Sequence, residues 1–153
     1  MKKPTKVKRI PFPEFKKIYS RVPRLCVEVI IIENSSLLLI KRSIEPAIGK
    51  WHTPGGTVLK GEDLEQAVKR VAKEELDLEV DVIELIGAIE YKSYKNHYSQ
   101  DISLAFMVKS IDKNFINKIQ LDGHADEYSF FPKLPNDMII DQKKFYSNAL
   151  GIK

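Results

Sequence analysis

The sequence predicts an α/β sandwich built on a mixed β-sheet, and three features of its residue pattern support that fold class. Strand-like aliphatic runs lie on both sides of one amphipathic helix, predicted over residues 63–77. A second helix, "DQKKFYSNALG", closes the chain with Gly151 as its stop. Strands on both sides of a helix, followed by a terminal helix, are typical of layered α/β domains. The length of 153 residues suits one such domain, so residues 1–153 are predicted to form a single unit.

The first half of the chain contains a helix, a hairpin and a loop. "PEFKKIYSRV" predicts a short helix. "RLCVEVIIIE" and "SSLLLIKRS" predict two strands, and the "NSS" between them predicts a hairpin turn. "IEPAIGKWHTPGG" contains two prolines and three glycines, which predicts a loop.

The second half continues with strands after the central helix. "LEVDVIELIGAIEYKS" and "DISLAFMVKS" predict two further strands, joined by a polar, aromatic-rich connection. "DKNFINKIQL" is ambiguous between a short helix and irregular structure. "EYSFFPKL" predicts an edge strand, because a proline ends it.

Composition and charge exclude several classes of protein. The net charge of +4 is concentrated in residues 1–9, "MKKPTKVKR", which predicts a solvated basic arm, and nucleic acid is not expected as a partner. No apolar run approaches the ~20 residues of a membrane span. The basic start is not followed by an apolar segment, so a signal peptide is not expected. The single cysteine, Cys26, excludes an internal disulfide and predicts a cytoplasmic protein. Its apolar neighbours favour a core residue over a nucleophile.

One face of the central helix carries a carboxylate among apolar residues. At 100° per residue, Leu64, Val68, Val71 and Glu75 fall on one narrow stripe. Burying an unpaired carboxylate is costly, so Glu75 requires a cation, a cage of hydrogen-bond donors or a proton.

The loop before this helix supplies groups that suit a divalent cation. Gly55 and Gly56 allow the backbone to approach a ligand closely. Mg²⁺ takes oxygen ligands, commonly one or two carboxylates, and Glu74 and Glu75 end the helix. Arg70 lies four residues before Glu74 and is placed to pair with it. The alternative is a solvated acidic helix end without a metal.

The segment as a whole resembles the catalytic box of the Nudix hydrolase family. The lead-in "GKWHTPGG" is similar to the Gly-x-Trp-x-x-Pro-Gly-Gly that often precedes this box. The positions that match the box are Gly56, Glu62, Arg70, Ala72, Glu74, Glu75 and Leu78. The resemblance implies a Nudix-like α/β/α sandwich. It also implies hydrolysis of a nucleoside diphosphate linked to another moiety, with Mg²⁺ or Mn²⁺ as cofactor and a small-molecule nucleotide as substrate.

The resemblance also implies roles for individual residues. The carbonyl of Gly55 and the carboxylates of Glu74 and Glu75 would be metal ligands. Glu62 would be a supporting acid, and Arg70 would orient the glutamates.

Two positions of the box depart from the family pattern. Val71 replaces the first glutamate of the Arg-Glu pair, and Asp77 replaces the glycine. That glutamate is a metal ligand or the general base in many members, and valine can serve as neither. The GDP-mannose mannosyl hydrolase branch, which the segment "FKKIYSRVPRLCVEVIIIENSSLLLIKRSIEPAIGKW" also resembles, lacks the same glutamate. That branch uses a loop histidine as the base and attacks the anomeric carbon of the sugar.

Resemblance to this branch implies two catalytic residues outside the box. Arg42 would contact phosphate and stabilise departing GDP, a role suited to a guanidinium fork; alternatively it is an ordinary charge at a strand end. His124, expected in a loop, is the candidate base, since neutral imidazole accepts a proton near neutral pH. The spacing to the following tyrosine is one residue longer than in the branch, so His124 as a surface residue remains an alternative. Asp126 and Glu127 are the other candidate bases.

Tyr91 and Tyr94 are candidate substrate-binding residues, because aromatic rings can stack on a nucleobase. Ordinary cross-strand packing is the alternative.

Three functions therefore remain open. The favoured function is hydrolysis of a nucleoside-diphosphate sugar of the GDP-mannose type at the anomeric carbon, which releases GDP and sugar. The second is pyrophosphohydrolysis by attack at phosphorus of a nucleotide sugar or a nucleoside triphosphate. The third is a catalytically inactive nucleotide-binding module, which is supported by the two departures from the family pattern, Val71 and Asp77. By analogy with the mannosyl branch, the N-terminal helix would suit a homodimer interface.

Overall fold

A computed structural model describes residues 8–153. Most of the basic arm predicted over residues 1–9 therefore lies outside the described residues. The first helix, α1 (Phe12–Tyr19), begins with a proline in its first turn and has no buried residue. This confirms the helix predicted from "PEFKKIYSRV" and shows that it lies on the outside of the domain.

The strands of the described chain form two four-stranded sheets. Their bounds are β1 (Arg24–Ile30), β2 (Ile32–Glu33), β3 (Ser36–Arg42), β4 (Trp51–His52), β5 (Gly55–Thr57), β6 (Val80–Glu90), β7 (Asp101–Ser110) and β8 (Ala125–Phe131). The first sheet has the order β5-β1-β7-β6 and is mixed, because β1 and β7 are parallel and the other pairs are antiparallel. The second sheet is antiparallel, with β2 and β4 on one side of β3 and β8 on the other.

Two helices pack on these sheets and complete the sandwich. The central helix, α2 (Leu64–Leu76), begins with a capping box between Asp63 and Gln66 and contacts β1, β5 and β6. The last helix, α3 (Ile140–Leu150), contacts β6 and ends at Gly151 in a left-handed conformation. A 3₁₀ helix, Phe115–Lys118, occupies the segment that was ambiguous in sequence. The predicted α/β sandwich with a mixed sheet is confirmed.

The hairpin predicted at "NSS" is also present. Asn34 and Ser35 have φ values of 48° and 61° between β2 and β3. Two consecutive positive φ values match the twist of a tight antiparallel hairpin, and Asn tolerates this conformation well.

The predicted loop over residues 44–56 is partly wrong, because it contains β4 and the start of β5. Each of these strands is two or three residues long, too short to show a periodic pattern. Pairing with longer strands creates them: His52 lies opposite Ile40 of β3, and Gly55 lies opposite Glu28 of β1. The glycines of the lead-in are thereby attached to the sheet.

In the part of the chain that the structure describes, no helix is both long enough and apolar enough to cross a membrane.

Candidate active site

Glu75 faces the backbone of the glycine-rich segment. Its Oε2 accepts a hydrogen bond of 3.0 Å from the N–H of Gly55. Burial raises the pKa of this carboxyl to about 8, and the negative charge of Asp122 adds to the effect. The single hydrogen bond does not compensate for burial, so the site favours a proton or a cation at Glu75.

Glu75, Asp122 and His124 form a cluster that can hold a metal ion. One ligand atom from each residue lies within 4.8 Å of the others. Two carboxylates beside a strongly desolvated position fit a hard divalent cation such as Mg²⁺, and the imidazole also suits Mn²⁺. Asp122 was missed in the sequence analysis. It lies 47 positions from Glu75, and its only local signal is an Asp-Gly turn before His124.

Arg70, in the middle of α2, connects this helix to the preceding loop. Its Nε and Nη2 donate to the two carboxylate oxygens of Glu62 at 2.9 and 2.7 Å. Nη2 also donates to the carbonyl of Thr57 at 2.7 Å, and Nη1 donates to Glu74 at 3.0 Å. The Glu62 side chain is 2% exposed, so this bidentate pair is sheltered from water and fixes the loop on the helix.

Glu74 is not part of the cluster formed by Glu75, Asp122 and His124. Its Oε2 contacts Arg70 at 3.0 Å and Arg9 at 2.5 Å, and its side chain is 41% exposed. In this conformation two cations neutralise the carboxylate that the sequence analysis predicted as a metal ligand. Its role as a ligand stays a prediction that requires the Arg9 contact to open.

Val71, which replaces the family glutamate, is buried against the glycine-rich segment. A side chain at Gly56 would begin 3.1 Å from Val71 Cγ2, so glycine and valine fit each other closely. Asp77, the other departure, has φ of 56° at the end of α2. It adopts the left-handed conformation that a glycine in this position would provide.

Two cavities meet at the cluster. The smaller has a volume of about 220 Å³ and the larger about 660 Å³. The larger is lined by α1 and by α2, including Phe12, Phe15 and Val71. The residues shared by the two linings are Arg24, Gly55, Gly56, Glu75 and His124. The two cavities are therefore adjacent at the Gly55–Gly56 segment.

The other predicted substrate-binding residues line the smaller cavity. Arg42 is held there by hydrogen bonds from its guanidinium to the carbonyls of Pro46, at 2.5 Å, and Glu45, at 3.3 Å. Tyr91 and Tyr94 stack on each other with ring centroids 5.8 Å apart. Their stacking on a substrate base remains a prediction.

His124 lines both cavities. It lies directly before β8, its side chain is 64% exposed, and its Nδ1 is 3.5 Å from Asp122 Oδ2. The other candidate bases, Asp126 and Glu127, lie on β8 and line neither cavity. Glu127 instead lies 3.8 Å from Lys41 on the neighbouring strand. Among the three candidates, only His124 is near the cluster.

A buried acid in the smaller cavity was also missed. Glu28 on β1 is 5% exposed and accepts hydrogen bonds from Tyr91 and Ser103 at 2.8 and 2.9 Å. Its Oε2 lies 3.2 Å from the hydroxyl of Thr53. Burial raises the pKa of this carboxyl to about 7, although the hydrogen bonds oppose that effect. A glutamate within the apolar run "RLCVEVIII" was the available signal.

Cys26 is buried beside this network, as predicted for a core residue. Burial raises the pKa of its thiol to about 12. The thiolate that nucleophilic catalysis needs is therefore disfavoured.

Comparison with known proteins gives three consistent findings. The NUDIX domain family matches residues 22–148. The low-salt glycan biosynthesis protein Agl8 of Haloferax volcanii is 43% identical over 83 residues, which cover 54% of this chain and 53% of that protein. The chain thus spans about half the length of that relative. An ADP-ribose pyrophosphatase of Methanocaldococcus jannaschii is 33% identical over 120 residues, covering 75% of this chain and 68% of that protein.

The fold has close counterparts among solved structures. A MutT NUDIX hydrolase from Burkholderia pseudomallei superposes with a TM-score of 0.71 at 22% identity, covering 81% of this chain and 95% of that one. At this level of identity the likeness concerns the fold alone.

Proposed function

The chain belongs to the Nudix hydrolase family, and we propose that it is a divalent-metal-dependent hydrolase of a nucleoside-diphosphate sugar. The favoured reaction is the release of nucleoside diphosphate and free sugar by attack of water at the anomeric carbon. The relative named for glycan biosynthesis supports a sugar-linked substrate.

The observation that carries this proposal is the pair of adjacent cavities that both have Glu75 and His124 in their linings. A nucleotide sugar has two bulky ends joined by a diphosphate. One end can occupy each cavity, which leaves the diphosphate beside the cluster. A nucleoside triphosphate has only one bulky end and would leave one cavity empty.

The residues present fit a divalent cation, as the donor set and the raised pKa of Glu75 indicate. Glu75 and Asp122 would hold it, with the carbonyl of Gly55 and a reoriented Glu74 as further candidates. When bound, the cation would neutralise charge on the diphosphate leaving group.

The chain's own residues can carry the remaining steps. His124 takes one proton from water while the water oxygen bonds to the anomeric carbon. The bond from that carbon to the diphosphate oxygen breaks, and its electron pair stays on the oxygen. Asp122, 3.5 Å from the imidazole, stabilises the protonated ring. Arg42 is in the adjoining wall, where it can contact the leaving phosphate.

The direct test is incubation with GDP-mannose and Mg²⁺, with a parallel sample in EDTA, followed by ³¹P NMR of the products. GDP with free mannose, formed only when metal is present, is the expected result. If the protein hydrolyses neither GDP-mannose nor any member of a wider panel of nucleotide sugars, the proposal is contradicted. That result would favour a binding module.

Attack at phosphorus is the second candidate function, and the relative named ADP-ribose pyrophosphatase favours it. GMP with mannose 1-phosphate in the same experiment would identify this reaction. Hydrolysis in ¹⁸O-labelled water separates the two reactions independently, because the label enters the sugar in one case and a phosphate in the other.

The role of His124 can be tested by replacing it with glutamine. His124→Gln should lower kcat at least a hundredfold and leave KM nearly unchanged, since a positioned base contributes roughly 10²–10⁴ in rate. Asp126→Asn is the matched control, because Asp126 lines neither cavity. This variant should retain activity. A fully active His124→Gln variant would contradict this role. A homodimer and a cytoplasmic location stay predictions from the sequence.

A further inference from the structure

We propose that Arg9 is an intramolecular cation that occupies Glu74 and opposes the binding of the divalent ion. The guanidinium and the ion compete for one carboxylate, so the segment before α1 sets how tightly the site holds its metal. This inference rests on the proposed function, because it requires a divalent cation at the acidic end of α2.

The contact joins two distant parts of the chain. Arg9 lies in the segment before α1, 65 positions from Glu74, and its Nη2 donates to Glu74 Oε2 at 2.5 Å. Arg9, Glu74 and Glu75 all line the larger cavity. The positive charge of Arg9 is therefore at the same cavity as the carboxylates that would hold the ion.

The exposure of the two side chains indicates that this contact opens at low cost. The side chain of Arg9 is 61% exposed, and that of Glu74 is 41% exposed. An ion pair in such contact with water contributes little to stability, because water screens the charges and two long side chains lose entropy when they are held together. Opening the pair also leaves neither charge buried.

Arg70 differs from Arg9, although both contact the same oxygen of Glu74. Its Nη1 is 3.0 Å from Glu74 Oε2, but its Nε and Nη2 are bonded to Glu62, whose side chain is 2% exposed. Breaking that sheltered bidentate pair would leave a buried charge without its partner, which is costly. Arg70 therefore stays in place, and Arg9 is the cation that a divalent ion can displace.

The competition has an electrostatic origin. Two positive charges at one carboxylate repel each other, and the attraction of a cation to a carboxylate grows with the charge of the cation. A divalent ion that Glu75 and Asp122 also hold thus gains more from Glu74 than the guanidinium does. The opposition is reciprocal, because an ion that Arg9 weakens must weaken the Arg9 contact by the same factor.

The test measures Mn²⁺ affinity by electron paramagnetic resonance titration of the whole chain. Arg9→Gln removes the charge of an exposed side chain and should tighten Mn²⁺ binding about threefold at low ionic strength, the size of an exposed ion pair. Arg21→Gln is the matched control, because Arg21 is exposed just after α1 and lines neither cavity. It removes the same charge and should leave Mn²⁺ affinity as it is in the wild type.

A double-mutant cycle identifies the carboxylate through which Arg9 acts. Glu74→Gln removes the charge for which the two cations compete, so adding Arg9→Gln to it should not change Mn²⁺ affinity further. A gain from Arg9→Gln that persists in the Glu74→Gln protein would show that Arg9 acts on another group and would overturn the inference.

The outcomes separate this inference from the proposed function. Equal Mn²⁺ affinities of Arg9→Gln and Arg21→Gln would overturn the inference and leave the proposed function intact. Weaker binding by Arg9→Gln would do the same, because Arg9 would then support the metal site. A wild-type protein that binds neither Mn²⁺ nor Mg²⁺ would overturn the proposed function and this inference together, since both require the ion.

Discussion

Replacing Glu28 with glutamine should change how the stability of the protein depends on pH. The carboxyl is buried on β1, and burial raises its pKa from 4.5 to about 7. The folded state therefore binds the proton more tightly than the unfolded state. Stability is highest below the unfolded pKa and falls as pH rises from about 4.5 to 7. Over that interval Glu28 should lower the free energy of unfolding by roughly 3 kcal/mol.

Glutamine is a close mimic of the protonated acid at this position. Its oxygen can accept from Tyr91 and Ser103, as Oε1 does, and its amide can donate to Thr53 across the 3.2 Å gap. Glu28→Gln should consequently be more stable than the wild type at pH 8 by up to about 3 kcal/mol. The two proteins should converge near pH 4.

Urea denaturation followed by circular dichroism from pH 4 to 8 measures this difference directly. Glu14→Gln, at an exposed carboxylate of α1, is the matched control and should differ from the wild type by a few tenths of a kcal/mol at most. A Glu28→Gln variant with the same pH dependence as the wild type would refute the reasoning. So would a variant that is less stable at pH 8, because glutamine would then fail to fit the network.

Three further predictions concern α2. Glu75→Gln should weaken Mn²⁺ binding at least tenfold in an electron paramagnetic resonance titration. The control Glu65→Gln, on the exposed side of α2, should bind Mn²⁺ as the wild type does. Equal Mn²⁺ affinities of the two variants would remove Glu75 from the metal site. Val71→Glu places a carboxylate beside Gly56, so without metal it should lower the free energy of unfolding by about 2–4 kcal/mol. Mg²⁺ should restore part of this loss, measured by thermal unfolding, if the new carboxylate creates a second metal position. A loss that Mg²⁺ leaves unchanged would argue against such a position. Asp77→Gly should raise the free energy of unfolding by about 0.5 kcal/mol in urea denaturation, because the φ of 56° at this position suits glycine. A decrease would show that the ion pair between Lys73 and Asp77 outweighs the backbone strain.

Local signals predicted the long elements well. The central helix has a period near 3.6 over thirteen residues and begins at a capping aspartate, so both its existence and its start were recognisable. The two longest strands were recognisable from their aliphatic content. By contrast, β4 and β5 exist only because longer neighbours pair with them, and no local pattern marks such strands.

The site followed the same division. Glu75 was conspicuous because an apolar stripe surrounded it, and the structure indeed places it in a desolvated position. Asp122 and Glu28 were missed because their relation to Glu75 is tertiary: one follows the 3₁₀ helix and the other lies on β1.

The bonding of Thr53 has a consequence for the order in which the protein matures during synthesis. Its N–H and hydroxyl contact Gln142 and Tyr146 of α3, about ninety residues later in the chain. A ribosome must therefore finish almost the whole domain before the glycine-rich segment next to Thr53 can acquire its final partners. Domains generally fold as units, and a nascent chain that ends before α3 would expose buried polar groups at this point. Competence to bind substrate is accordingly expected to arise late in translation, when α3 docks.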